Sequence, residues 1–183
     1  YSSEAYPRLS PDTTKIAFQA SWGGNSDVYW MNWGGGGWTN VTNNTASDYA
    51  PTWSPNGQRL AFVSNRDGNT EIYTTNLDGS AQVRLTNYSL GDTAPAWSPD
   101  GSQIVWVRYQ DYYGALWVMN ADGSNAHVIT DNWAYMGHPS WSPDGEQFVF
   151  MSNRDQSLEL YVLSLNCDEK QLGGCDVHRL TFN

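Results

Sequence analysis

The sequence predicts an all-β protein made of four copies of one four-stranded unit, and three observations carry that reading. Prolines recur at a fixed step of 44 residues, at Pro7, Pro51, Pro95 and Pro139. Short runs rich in strand formers, divided by Asn-Gly, Asp-Gly and Ser-Pro turns, fill each interval. No window sustains the i, i+3, i+4 apolar spacing of a helix.

The units align element by element. After each proline come Arg8-Leu9-Ser10-Pro11-Asp12, Thr52-Trp53-Ser54-Pro55-Asn56-Gly57, Ala96-Trp97-Ser98-Pro99-Asp100-Gly101 and Ser140-Trp141-Ser142-Pro143-Asp144-Gly145. The second unit shows the elements most plainly. Ala50 to Ser54 forms a short strand, ended by a turn in which Pro55 presets φ and Gly57 supplies φ > 0. Arg59 to Val63 is the second strand, and Asn65-Arg66-Asp67-Gly68 turns the chain. Glu71 to Thr75 alternates its faces at period two, Asp78-Gly79 turns again, and Val83 to Thr86 is the fourth strand. The pairs Val28-Tyr29, Ile72-Tyr73, Leu116-Trp117 and Leu160-Tyr161 keep the step of 44. Val41-Thr42, Leu85-Thr86, Ile129-Thr130 and Leu180-Thr181 close the units, the last after seven extra residues. A 44-residue unit of four antiparallel strands is one blade of a β-propeller. The blades fall at about 3–44, 45–88, 89–132 and 133–183 of a single domain spanning 1–183.

The unit P-x-W-S-P-D-G…A-F-x-S-N-R-D-G-x-x-E-I-Y…N-x-D-G…L-T resembles the TolB-type propeller repeat over the whole chain. The second unit matches best. The first departs most, with Leu9 for the tryptophan and Trp22-Gly23-Gly24 at the Asn-Arg-Asp turn. The resemblance implies that each blade's first strand lines a central channel and its fourth lies outermost. The family it implies includes periplasmic scaffold proteins, substrate-gating propellers attached to serine peptidases, and secreted modules. Each unit starts on a first strand and finishes on a fourth, with no strand exchange to latch a ring. Three arrangements stay open: a closed four-bladed ring, an arc of a larger propeller, and a half-ring that pairs with another copy.

Net charge is −10, with only two lysines, Lys15 and Lys170. Such a surface repels nucleic acid and anionic lipid, and no apolar run is long enough for a membrane helix. Cys167 and Cys175 flank a Gly-Gly turn, where two cysteines can meet across a hairpin as a disulfide. That pairing places the chain outside the cytoplasm: secreted, at the cell surface, or periplasmic. The absence of an initiator Met at Tyr1 is read as a mature, trimmed or partial chain. Asn40, Asn43 and Asn87 open N-x-[ST] sequons and are candidate N-glycosylation sites.

The residues offer no catalytic constellation. His127, His138 and His178 lack metal-ligand spacing, and there is no G-x-S-x-G elbow. No metal or cofactor is expected. The Gly34-Gly35-Gly36-Gly37 run lacks the helix start and lysine of a phosphate cradle and reads as a hairpin turn. Asn120 to Asn125 begins like a calcium loop but lacks the closing glutamate. Serines of the Ser-Pro turns are expected to bond nearby backbone. Asp27, Glu71 and Glu159 share one repeat position, with Arg66 and Arg154 nearby, and are expected to form structural Arg–carboxylate pairs.

Trp53, Trp97 and Trp141 recur and belong to the core. Other aromatics mostly do not recur, among them Trp30, Trp33, Trp38 and Tyr88. Trp22, Tyr109, Tyr112 and Tyr113 fall in turns between second and third strands, and Tyr49, Trp133 and Tyr135 in loops joining blades. Exposed Tyr and Trp favour interfaces. The function expected is a non-enzymatic binding or assembly module that meets a protein partner or copies of itself. A substrate-gating propeller of a larger serine hydrolase, or a carbohydrate-binding propeller, are the alternatives.

Overall fold

The computed structural model describes residues 3–22, 24–130, 134–165 and 177–182. It contains sixteen strands and, among the described residues, no α-helix. They form four antiparallel sheets of four strands, as the repeat predicts. The first blade is β1 (Glu4–Leu9), β2 (Lys15–Ala20), β3 (Asp27–Asn32) and β4 (Thr39–Asn40). The second is β5 (Asp48–Trp53), β6 (Arg59–Ser64), β7 (Glu71–Asn76) and β8 (Val83–Arg84). The third is β9 (Gly91–Trp97), β10 (Gln103–Gln110), β11 (Tyr113–Asn120) and β12 (His127–Val128). The fourth is β13 (Met136–Trp141), β14 (Gln147–Ser152), β15 (Glu159–Ser164) and β16 (Val177–Arg179). In each sheet the strands lie in chain order. Two compact units divide the chain, Tyr1–Pro95 and Ala96–Asn183.

The Ser-Pro turns are locked by their own side chains. Ser54 Oγ accepts the Arg59 amide at 2.9 Å and donates to Asn56 Oδ1 at 2.8 Å. Ser10, Ser98 and Ser142 repeat the device with Asp12, Asp100 and Asp144. The Ser10 hydroxyl, then the amide and hydroxyl of Thr14, hold the exposed Asp12 carboxyl down at about 2. The glycine run forms the β3–β4 turn, with left-handed φ at Gly35, Gly36 and Gly37 in succession. Asp122 accepts both the amide and the hydroxyl of Ser124, so the calcium-like segment is a self-bonded turn.

Each first strand carries a residue with left-handed φ just before its proline: Tyr6, Ala50, Ala94 and His138, all between +51° and +53°. Register shifts interrupt the pairing of β1 with β2, β5 with β6 and β13 with β14 at these places. They are β-bulges, repeated with the unit.

The fourth strands are shorter than the sequence predicts. Leu85 N still donates to Ile72 O at 2.8 Å, but the Ile72 amide turns to the Thr86 hydroxyl at 2.9 Å. The side chain takes over from the ladder, and strand pairing stops there. Thr42, Thr130 and Thr181 accept the amides of Val28, Leu116 and Leu160 in the same way.

In the first unit, the second blade packs onto the first. Ala17, Val28 and Val41 offer a receiving face, into which Trp53, Leu60 and Phe62 insert. Trp53 Nε1 donates to Arg8 O at 2.9 Å, so the buried indole keeps a partner. In the second unit β13 lies against β10 and β11, and Trp141 Nε1 donates to Ala96 O at 3.1 Å.

Candidate binding surface

Buried carboxylates are the first chemistry the repeat creates, and they are structural. Glu71 opens β7, and the β7–β8 register brings Arg84 beside it, with Nη2 at 2.8 Å. Thr86 Oγ1 donates to its other oxygen at 2.6 Å, and the Tyr88 amide adds a bond at 2.9 Å. Burial pushes the Glu71 carboxyl up, but these donors and Asn69 outweigh it and hold it below the usual carboxylate range. Glu159 repeats the arrangement with Arg179 at 2.8 Å and Thr181. Asp27 uses the neutral Asn40 at 3.0 Å and Thr42 at 3.0 Å. In the third blade the matching residues are Ala115 and Val128, so carboxylate and partner are lost together. The arginines that meet Glu71 and Glu159 are Arg84 and Arg179, rather than the expected Arg66 and Arg154. Those two lie in the preceding turn and cover aromatic rings.

Every blade pairs two rings on neighbouring strands, stacked in Phe18–Tyr29, Phe62–Tyr73 and Phe150–Tyr161 and tilted in Trp106–Trp117. In the second blade Arg66 lies over Tyr73, its guanidinium carbon 4.7 Å from the ring centre, and pairs with the buried Asp48 at 3.2 Å. Arg154 covers Tyr161 at 5.3 Å. In the third blade Gln110 stands at the arginine's repeat position, and Arg108 covers Trp117 at 4.3 Å instead. A search at fixed spacing misses Arg108. The first blade has no arginine there. Trp22 and Trp38, at the positions of Arg66 and Gln82, close over Tyr29 and Phe18 at 4.8 and 5.2 Å. Trp22 Nε1 donates to Glu4 Oε1 at 2.8 Å, and the two indoles meet edge to face at 4.8 Å. Trp22, Trp33 and Trp38 are all exposed.

The remaining aromatics singled out from the sequence fall in several environments. Tyr49 is half-buried in β5, and burial raises its pKa against the opposing bond from Thr93. Tyr109 packs on Tyr135 at 5.9 Å and donates its hydroxyl to Met136 O; burial and the Tyr135 hydroxyl push it up. Tyr112 and Tyr113, at the β10–β11 turn, are exposed. Trp133, Cys167 and Cys175 lie outside the described residues. Among the candidate sequons, Asn40 has its amide engaged with Asp27 and with Tyr29 Oη, while Asn43 and Asn87 are exposed. Among the described residues no group of three or more His, Cys, Asp or Glu side chains could hold a metal ion. Among the described residues no helix is long and apolar enough to cross a membrane.

The TolB beta propeller domain matches residues 2–92 and again 85–183. The chain belongs to this family. The TolB-type protein of Agrobacterium tumefaciens is 26% identical, with a TM-score of 0.81 over 93% of this chain and 62% of its own. TolB of Acinetobacter baumannii is 23% identical, with a TM-score of 0.73 over 87% of this chain and 40% of its own. The chain thus spans less than two thirds of the TolB structures it matches. The acylaminoacyl peptidase of Pyrococcus horikoshii is 14% identical, with a TM-score of 0.65 over 100% of this chain and 32% of its own, and shares the fold alone. No curated protein matches the sequence.

Proposed function

We propose that this TolB-family chain is a non-enzymatic, extracytoplasmic binding and assembly module that presents blade surfaces to a protein partner or to further copies of itself. The observation that carries the reading is the exposed Trp22, Trp33 and Trp38 surface of the first blade. The second blade puts Arg66, Leu77 and Gln82 at these positions, engaged with neighbouring groups. Exposed tryptophan on an otherwise acidic protein favours a protein contact over nucleic acid.

The test is retention of proteins from the source organism on immobilised wild-type chain and on a Trp33→Ser/Trp38→Ser variant. A defined protein held by the first and lost by the second is expected. Equal retention by both would overturn the reading, as would turnover of peptide p-nitroanilides or p-nitrophenyl esters by the purified chain. The extracytoplasmic location carries its own check: mass spectrometry of a non-reduced digest should show Cys167 bonded to Cys175. Two alkylated free thiols would remove that support.

A further inference from the structure

We propose that the fourth blade's receiving face binds the first blade of a second copy of this chain, head to tail. This rests on the assembly reading above and names its partner. Within the first unit, Ala17, Val28 and Val41 are covered by the next blade's Trp53 and Leu60. Val105 and Leu116 fill the same positions in the third blade and are fully buried. Their counterparts in the fourth blade are Val149, Leu160 and Leu180, all exposed. Leu160 is 40% exposed, where Val28 and Leu116 are at 0%. Three aliphatic side chains at positions that elsewhere sit under a neighbouring blade mark a face built to be covered.

The same chain carries the surface that fits it. The first blade's inserting face keeps Phe18 and Tyr29 under its own Trp38 and Trp22 but leaves its leading edge open: Leu9 is 46% exposed, while its equivalent Trp53 is at 7%. Trp33 is 63% exposed at the position where Leu77 packs into the joint between the first two blades. Trp38 stands where Gln82 reaches across that joint to the carbonyls of Val41 and Thr42. Leu9, Ile16, Met31, Trp33 and Trp38 carry no charge, and neither do Val149, Leu160 and Leu180. A protein of net charge −10 resists self-association least where the contacting side chains are uncharged, as these are. With Leu9 in place of Trp53, that position brings no indole N–H into the contact. The contact is heterologous, since the two faces differ, so copies add in one direction.

Light scattering on the purified chain at micromolar concentration should show multiples of 20.5 kDa that dissociate on dilution. Leu160→Glu blocks the receiving face and Trp33→Glu the inserting face, and each variant alone should run as a monomer. Mixed, each still supplies one intact face, so they should form a one-to-one dimer and grow no further. Far-ultraviolet circular dichroism matching wild type shows that each variant is folded; for one that fails, Leu180→Glu or Leu9→Glu blocks the same face. A wild-type monomer at every concentration overturns the proposal, as does an oligomer that survives both substitutions or a mixture that fails to pair. A wild-type monomer whose first blade still retains another protein would leave the binding reading standing and remove only the second copy.

Discussion

The first and second blades share one strand register yet close their aromatic pairs with opposite chemistry. In the second, Arg66 covers Tyr73 and is anchored by Asp48, whose side chain is buried, and beside it Arg84 neutralises the buried Glu71. In the first, Trp22 and Trp38 cover the rings, and the neutral Asn40 serves Asp27. The second blade hides charge among its own side chains; the first leaves tryptophan in the open. One backbone therefore supports both a sealed joint and an exposed aromatic surface, and the choice turns on a few side chains.

The sharpest way to break this comparison is to unpair the second blade. Glu71→Ala leaves Arg84 facing a site without its carboxylate and strands the donors that Glu71 served. A loss of about 3–5 kcal/mol is expected in chemical denaturation. The double substitution Glu71→Ala/Arg84→Val copies the third blade's Ala115 and Val128, and should recover much of that loss. Equal loss in single and double variants would show that the charge pair is not what matters.

Acid offers a milder probe of the same group. The Glu71 carboxyl sits lower in the folded chain than in the unfolded one, so its contribution is complete above the ordinary carboxylate pKa. That contribution is lost as pH falls through the lowered folded value. Stability profiles of wild type and Glu71→Gln should therefore differ most above about pH 5 and converge in acid. A constant gap down to pH 2 would contradict the shift.

The smallest effect concerns what the two blades share. Ala50 holds φ at +51°, a conformation costly for any residue with a Cβ. Ala50→Gly should raise stability by up to about 1 kcal/mol, and Ala50→Val should lower it by more than that. The reverse order would mean that the bulge is unstrained.

The strands, the turns and the repeat were legible because each rests on local residues. Ser54-Pro55-Asn56-Gly57 contains every group that closes its own turn. Partners across a hairpin were harder. Glu71 stood out by repetition, but its arginine depends on the β7–β8 register, which places residue 84 opposite 73 and beside 71. Arg108 escaped notice because it covers Trp117 from two residues before the repeat position. Of the candidate surface, Trp22 was visible as a departure from the pattern. The exposure of Leu160 and Leu180 was not, because an aliphatic residue at a recurrent position reads as core whether or not a neighbour covers it.

The bulges have a consequence for how such a chain can change. Tyr6, Ala50, Ala94 and His138 hold nearly the same φ with three different kinds of side chain. The backbone at these points is set by the following proline and by the register shift around it, so Tyr, Ala and His are all accommodated while the conformation is kept. Mutational drift therefore finds one permissive address in each blade, always in the same local frame. A single codon change there can swap an aromatic for an imidazole or a methyl group without re-threading a strand.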